Sequence, residues 1–101
     1  MIEDRFTRNT AIEVAPMKGE TVLFNPGNNK FCVLNATASF IWHSLDRPQT
    51  AQEIAVAVVQ RFKNVEMTQA QRDVKLALTA LRDIECISPA DLRFDVTKEK
   101  P

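Results

Sequence analysis

Glycine is nearly absent from this chain: Gly19 and Gly27 are its only two, each alone in a candidate turn. A phosphate-cradling loop needs several closely spaced glycines so that backbone N–H groups can approach an anion, and none can be built here. Histidine is scarcer, with His43 alone beside Trp42 and no Asp, Glu or Cys spaced to orient it as a base, so it reads as a surface histidine. Cys32 and Cys86 lie outside any CxxC or Cys/His spacing, which argues against a structural metal site. With no signal-peptide pattern at the N-terminus, both read as reduced, small apolar core residues, and a disulfide would require the fold to bring them together. There is no nucleophile elbow, and the carboxylates are scattered singly over helix surfaces. These absences leave no catalytic constellation and imply no enzyme and no cofactor.

Two further shortages bound the class. No apolar run approaches the roughly 20 residues needed to span a bilayer, so a cytoplasmic protein is expected. Charge of one sign is not in excess either: thirteen Lys and Arg balance thirteen Asp and Glu, so no summed field draws polyanions to the surface. At 101 residues with 45% hydrophobic content, the chain can bury one modest core and has little room for a walled active site besides.

Local signals are clear. The ends, MIEDRFTRNT and DLRFDVTKEKP, are polar and without sustained period, and read as loosely held tails over residues 1–10 and 89–101. Between them lies one domain, expected over residues 11–88. Its first part is strand-like: AIEVAP, ETVLFNP and KFCVLN, the last two joined by Pro26-Gly27-Asn28-Asn29, residues that suit a hairpin turn. Then the period becomes helical. Asn35 is a good N-cap for a first helix carrying Phe40, Ile41, Trp42, Ser44 and Leu45, which Arg47-Pro48 should end. Thr50 and Glu53 have capping-box spacing ahead of the stripe Ile54, Ala55, Val58, Val59 and Phe62. A third helix opens near Thr68, with Ala70, Val74, Ala77, Leu78, Leu81 and Ile84 on its apolar face. The order predicts an α+β fold, a three-stranded antiparallel sheet followed by three helices packed on one face.

Such a sheet has two outer strands with unpaired backbone groups. If Lys30 to Leu34 is outermost, Cys32 and Leu34 face the core, whereas Phe31 and Val33 form an apolar patch on the other side. An extended peptide could then add to this edge. Asp73, Leu76, Ala80 and Arg72 flank the core stripe of the third helix, where a peptide beside the helix would touch them, and Arg72 and Lys75 could meet acidic side chains.

The same residues closely resemble the PqqD family. The resemblance is carried by Leu34-Asn35 followed by Ala38 and Ile41-Trp42, by Thr50 with Glu53-Ile54, and by Asp73-Val74 with Leu78 and Leu81, in order and spacing from about Glu20 to Ile87. It implies a winged-helix-like fold serving as a recognition element, or peptide chaperone, in natural-product biosynthesis. Its members bind the leader of a ribosomally made precursor peptide as an extra strand beside the third strand, in the cleft with the third helix. They present it to a modifying enzyme, such as a radical SAM protein, or to a leader peptidase. The implied peptide-binding residues are Lys30, Phe31, Cys32, Val33, Arg72, Asp73, Lys75, Leu76 and Ala80. Two departures stand out: Asp46-Arg47-Pro48 replaces a turn that often holds glycine, and Glu85 stands where relatives close the third helix with glycine. The alternative from another class is a winged-helix DNA-binding protein, against which Asp73, Asp83 and Glu85 on the would-be recognition helix argue. Short hinges between strands and helices also leave a swapped homodimer open.

Overall fold

The computed structural model describes residues 5–18 and 20–90; Gly19, residues 1–4 and the C-terminal stretch from residue 91 lie outside the described residues. The elements are β1 (Arg5–Arg8), β2 (Glu13–Met17), β3 (Glu20–Asn25), β4 (Lys30–Leu34), α1 (Ala36–Ser44), β5 (Gln49–Thr50), α2 (Ala51–Arg61), α3 (Met67–Asp83) and β6 (Ile87–Ala90). The three expected strands form one antiparallel sheet in the order β2-β3-β4, and the three helices follow it. The fold is therefore α+β and consistent with a winged helix.

A second sheet, β5-β1-β6, was not visible in the local pattern. Arg5–Arg8, expected to be loosely held, is its central strand. It pairs with β6 from Arg5↔Ala90 to Arg8↔Ile87, and with β5 at Arg5↔Thr50. Four residues reading RFTR carry too little periodicity to announce a strand, and their partners lie some eighty positions away. Arg8 lies 5.4 Å from the centroid of Trp42, a cation–π contact that ties this sheet to α1.

The core holds Leu23 and Leu34 from the first sheet, Ile41, Trp42 and Leu45 from the α1 segment, Ile54, Ala55 and Val58 from α2, and Ala70, Val74, Leu78 and Leu81 from α3. Each helix start follows its expected chemistry, with one exception. Asn35 Oδ1 accepts the Ala38 N–H at 2.9 Å. Thr50 and Glu53 complete the capping box at 2.9 and 3.0 Å. The Thr50 backbone N–H, and then Arg5, hold the Glu53 carboxyl below its ordinary value. The exception is α3, whose N-cap is Glu66 with no side-chain cap. The first helix also ends before Arg47-Pro48: Leu45 leaves helical geometry, and the Gln49 side chain donates to the Ser44 carbonyl, replacing the next helical turn.

The end of α3 organises the molecule. Glu85 adopts φ 60°, the Cys86 N–H reaches the Leu81 carbonyl at 2.8 Å and the Glu85 N–H reaches Arg82 at 3.0 Å. This is a Schellman closure with a glutamate in the left-handed position that glycine favours. The left-handed glutamate carries a steric cost of about 1 kcal/mol. Three asparagines then converge on the emerging carbonyls. Asn25 and Asn28 from the hairpin turn donate to Ile84 at 2.8 and 3.2 Å, and Asn9 donates to Glu85 at 3.0 Å. Asn25 also folds its own turn, since its Oδ1 accepts the Gly27 N–H at 2.9 Å; a Cβ on Gly27 would meet that oxygen at 3.1 Å. The positive φ of this turn falls on Asn29.

Two stability changes are expected. Asn25 is buried, so Asn25→Ala leaves the Ile84 carbonyl with the longer bond from Asn28 alone, removes the acceptor of the Gly27 N–H, and should lower the unfolding free energy in urea by about 2 kcal/mol, with Asn28→Ala costing clearly less. Glu85→Gly should raise it by up to about 1 kcal/mol, because the strained conformation becomes free of Cβ conflict.

Candidate functional site

Side-chain alternation along β4 decides what its edge presents. Leu34 is 3% exposed and Cys32 half-buried, both on the helix side, while Phe31 and Val33 are 67% and 51% exposed on the other. Across the ladder Phe31 stands opposite Phe24, and Val33 opposite Val22, so the outer face is an apolar patch continuous over two strands. Among the described residues, nothing pairs with the far side of β4.

The opposite edge, β2, is also open, but it offers less. Every residue of β2 is exposed, and Pro16 removes one backbone donor from it. Only β4 runs beside the helices. Its hairpin end is fixed to the end of α3 by Asn25 and Asn28, and its other end enters α1 through Asn35 alone. Where β4 enters α1, a groove of about 270 Å³ opens between α1 and α3, walled by Asn35, Thr37, Ala38 and Ile41 on one side and by Asp73, Leu76 and Ala77 on the other. Leu76 is 64% exposed at its rim, a large apolar side chain left in water.

The residues singled out in the sequence fall in four places. Lys30, Phe31, Cys32 and Val33 form the open edge, with Asp73 and Leu76 across the groove from its Leu34 end. Ala80, exposed and seven positions after Asp73, lies on the same helix flank two turns on. Arg72 points outward, with its guanidinium 3.4 Å from the Gln69 side chain, which in turn donates to Asp73 at 3.0 Å. Lys75 is not part of the groove; it lines a different depression on the other flank of α3. Asn35, Thr37, Ala38, Ile41 and Ala77 went unnamed as groove residues. The signal was the helix start directly after β4, which places the first turn of α1 beside the edge.

His43 is exposed, and among the described residues no group of three or more His, Cys, Asp or Glu could hold a metal. Both cysteines are free. Burial raises the Cys32 thiol above its ordinary value; burial, and then the Cys32 charge, push Cys86 up to about 11. Both stay protonated near neutral pH and are poor nucleophiles. No helix among the described residues is long and apolar enough to cross a membrane.

A small sheet with one free, helix-flanked edge and a groove beside it defines a chain-binding module more readily than an enzyme. The chain belongs to the PqqD family: the model of coenzyme PQQ synthesis protein D matches residues 20–87. Two solved structures are similar in fold. One, described as TbiB1 in complex with the TbiA(beta) leader peptide, is 25% identical with a TM-score of 0.71, covering 84% of this chain and 98% of that one. The other, a lasso peptide synthetase B1 complexed with the leader peptide, is 26% identical with a TM-score of 0.68, covering 83% and 98%. No curated protein matches.

The two thiols provide a check on this geometry. Iodoacetamide at mildly alkaline pH should label Cys32 slowly and leave Cys86 untouched until the protein is unfolded, as read by mass spectrometry. Equal labelling of both in the folded state would contradict the burial described.

Proposed function

We propose that this protein is a non-catalytic peptide-binding module. It takes the leader of a ribosomally synthesised precursor as an added strand on β4 and presents it to a modifying enzyme, of the radical SAM or leader-peptidase kind. The observation that carries the reading is the pairing of an unfilled β4 edge with the α1–α3 groove, in a chain whose similar structures are complexes with leader peptides. In this reading the backbone of Lys30 to Val33 fixes the guest's register. Guest side chains on one face cover Phe31 and Val33, and those on the other reach Leu76, Asp73 and Ala80. Arg72, on the outer surface of α3, meets acidic guest residues in passing and tunes association more than affinity.

Titrating ¹⁵N-labelled protein with the leader of a precursor encoded beside it should shift the amides of residues 30–34 and of the Asp73–Ala77 turn. N-methylation of successive guest residues should weaken binding at alternate positions, by about tenfold where a ladder hydrogen bond is lost. Leu76→Asp should weaken it comparably. Shifts confined to β2 or to the β5-β1-β6 sheet, or tolerance of N-methylation at every position, would remove β4 as the docking edge.

A further inference from the structure

On the flank of α3 facing away from the β4 groove lies a second depression, of about 430 Å³. Its apolar floor includes Phe6 of β1 and Leu78 of α3, and a hydrogen bond of 3.3 Å from Gln71 to Gln52 crosses from α3 to the first turn of α2. Lys75 and Arg82 stand along it, seven residues and so about 10 Å apart along the helix axis. No carboxylate lines it. Among the described residues the single ion pair is Arg5 with Glu53, so neither Lys75 nor Arg82 has an acidic partner. By contrast, Arg8 rests over Trp42 and Arg61 over Phe62. From Gln71 to Arg82 the depression follows the helix for about 16 Å, which suits a length of chain better than a compact metabolite.

We infer that this groove docks a segment of a partner protein carrying apolar side chains between two carboxylates about 9 Å apart, the spacing of positions i and i+3 in a polyproline II chain, whose three-residue turn brings both to one side. The carboxylates meet Lys75 and Arg82, and the apolar side chains cover Phe6 and Leu78. The site is separate from the β4 groove: Asp73, Leu76 and Ala77 face one flank of α3, and Lys75, Leu78 and Arg82 the other. Both flanks can therefore be occupied together. Naming the partner as the enzyme that receives the peptide rests on the reading above; the chemistry of the groove does not.

The probe is the tetrapeptide acetyl-Asp-Leu-Phe-Asp-amide, titrated into full-length ¹⁵N-labelled protein. Amides of Phe6, Gln52, Lys75, Thr79 and Arg82 should shift while those of residues 30–34 stay still, and acetyl-Lys-Leu-Phe-Lys-amide should leave all of them unmoved. Charge reversal of both exposed cations, K75E with R82E, should weaken the acidic peptide about tenfold, as two surface ion pairs allow, and R82E alone about threefold. The same double variant should bind leader peptide as the parent does. An equal response to the lysine peptide, unchanged affinity in the variants, or shifts mapping to the Asp73 flank would overturn the inference. Leader binding lost together with tetrapeptide binding would overturn the separateness of the two sites. Tetrapeptide binding without any leader binding would leave this groove standing and remove the function proposed above.

Discussion

The hydrogen bond from Asn25 to the Ile84 carbonyl is the constraint on which the arrangement depends. A two-stranded hairpin has little stability of its own, and the hairpin here extends from the domain with β2 exposed along its whole length. Asn25 is buried at the base of its turn and binds the turn's own Gly27 N–H while donating to the end of α3. One side chain thus shapes the turn and anchors it. Because the anchor lies at the C-terminus of α3 and Leu34 enters α1 at the other end, β4 is held at both ends beside the helices. Thr21 and Ser39, joined at 2.7 Å, add a polar tie between β3 and α1.

That double attachment separates the two faces of β4. Toward the helices, Leu34 completes the core and Cys32 is half-buried beside it. Toward solvent, Phe31 and Val33 continue the row begun by Phe24 and Val22. Patches of this kind are uncommon on chains with nothing to bind. The cost is an edge open to pairing with any extended chain, and the two edges of the sheet manage it differently. Pro16 and an uncovered, wing-like position blunt β2, whereas β4 keeps its backbone groups available beside a walled groove.

What was legible in the sequence was local. PGNN between two apolar runs placed the hairpin, Asn35 and the Thr50–Glu53 pair placed two helix starts, and the three-and-four spacing from Ala70 to Leu81 placed the third helix and its buried stripe. Alternation in KFCVL assigned each side chain of β4 to its face correctly. The features that escaped depend on contacts distant along the chain. Nothing near RFTR signals that it pairs with Ile87–Ala90, and nothing near Glu85 signals that three asparagines from elsewhere will receive the carbonyls of its left-handed corner. The separation of Lys75 from Asp73 and Leu76 escaped for the same reason. Helical spacing orders residues around α3, but which flank meets β4 is fixed by the anchor at Ile84.

The energetics of adding a guest strand show why an open edge alone could not serve as a receptor. Each ladder hydrogen bond replaces bonds to water and contributes only about 1 kcal/mol net, while ordering each guest residue costs about 1–2 kcal/mol. These terms nearly cancel over a short segment, so backbone pairing sets register without supplying affinity. The surplus has to come from apolar area removed from water, at about 25 cal/mol per Å². The exposed apolar side chains available are Phe31 and Val33 on β4 itself and Leu76 at the rim of the α1–α3 groove. A guest whose alternate side chains cover both places gains from all three; one that covers a single place does not. With a formal net charge of zero, the protein adds no long-range attraction that would retain a chain of the wrong pattern. On the proposed reading, selectivity would follow from the guest's two-residue alternation matched against the apolar face of β4 and the rim of the α1–α3 groove.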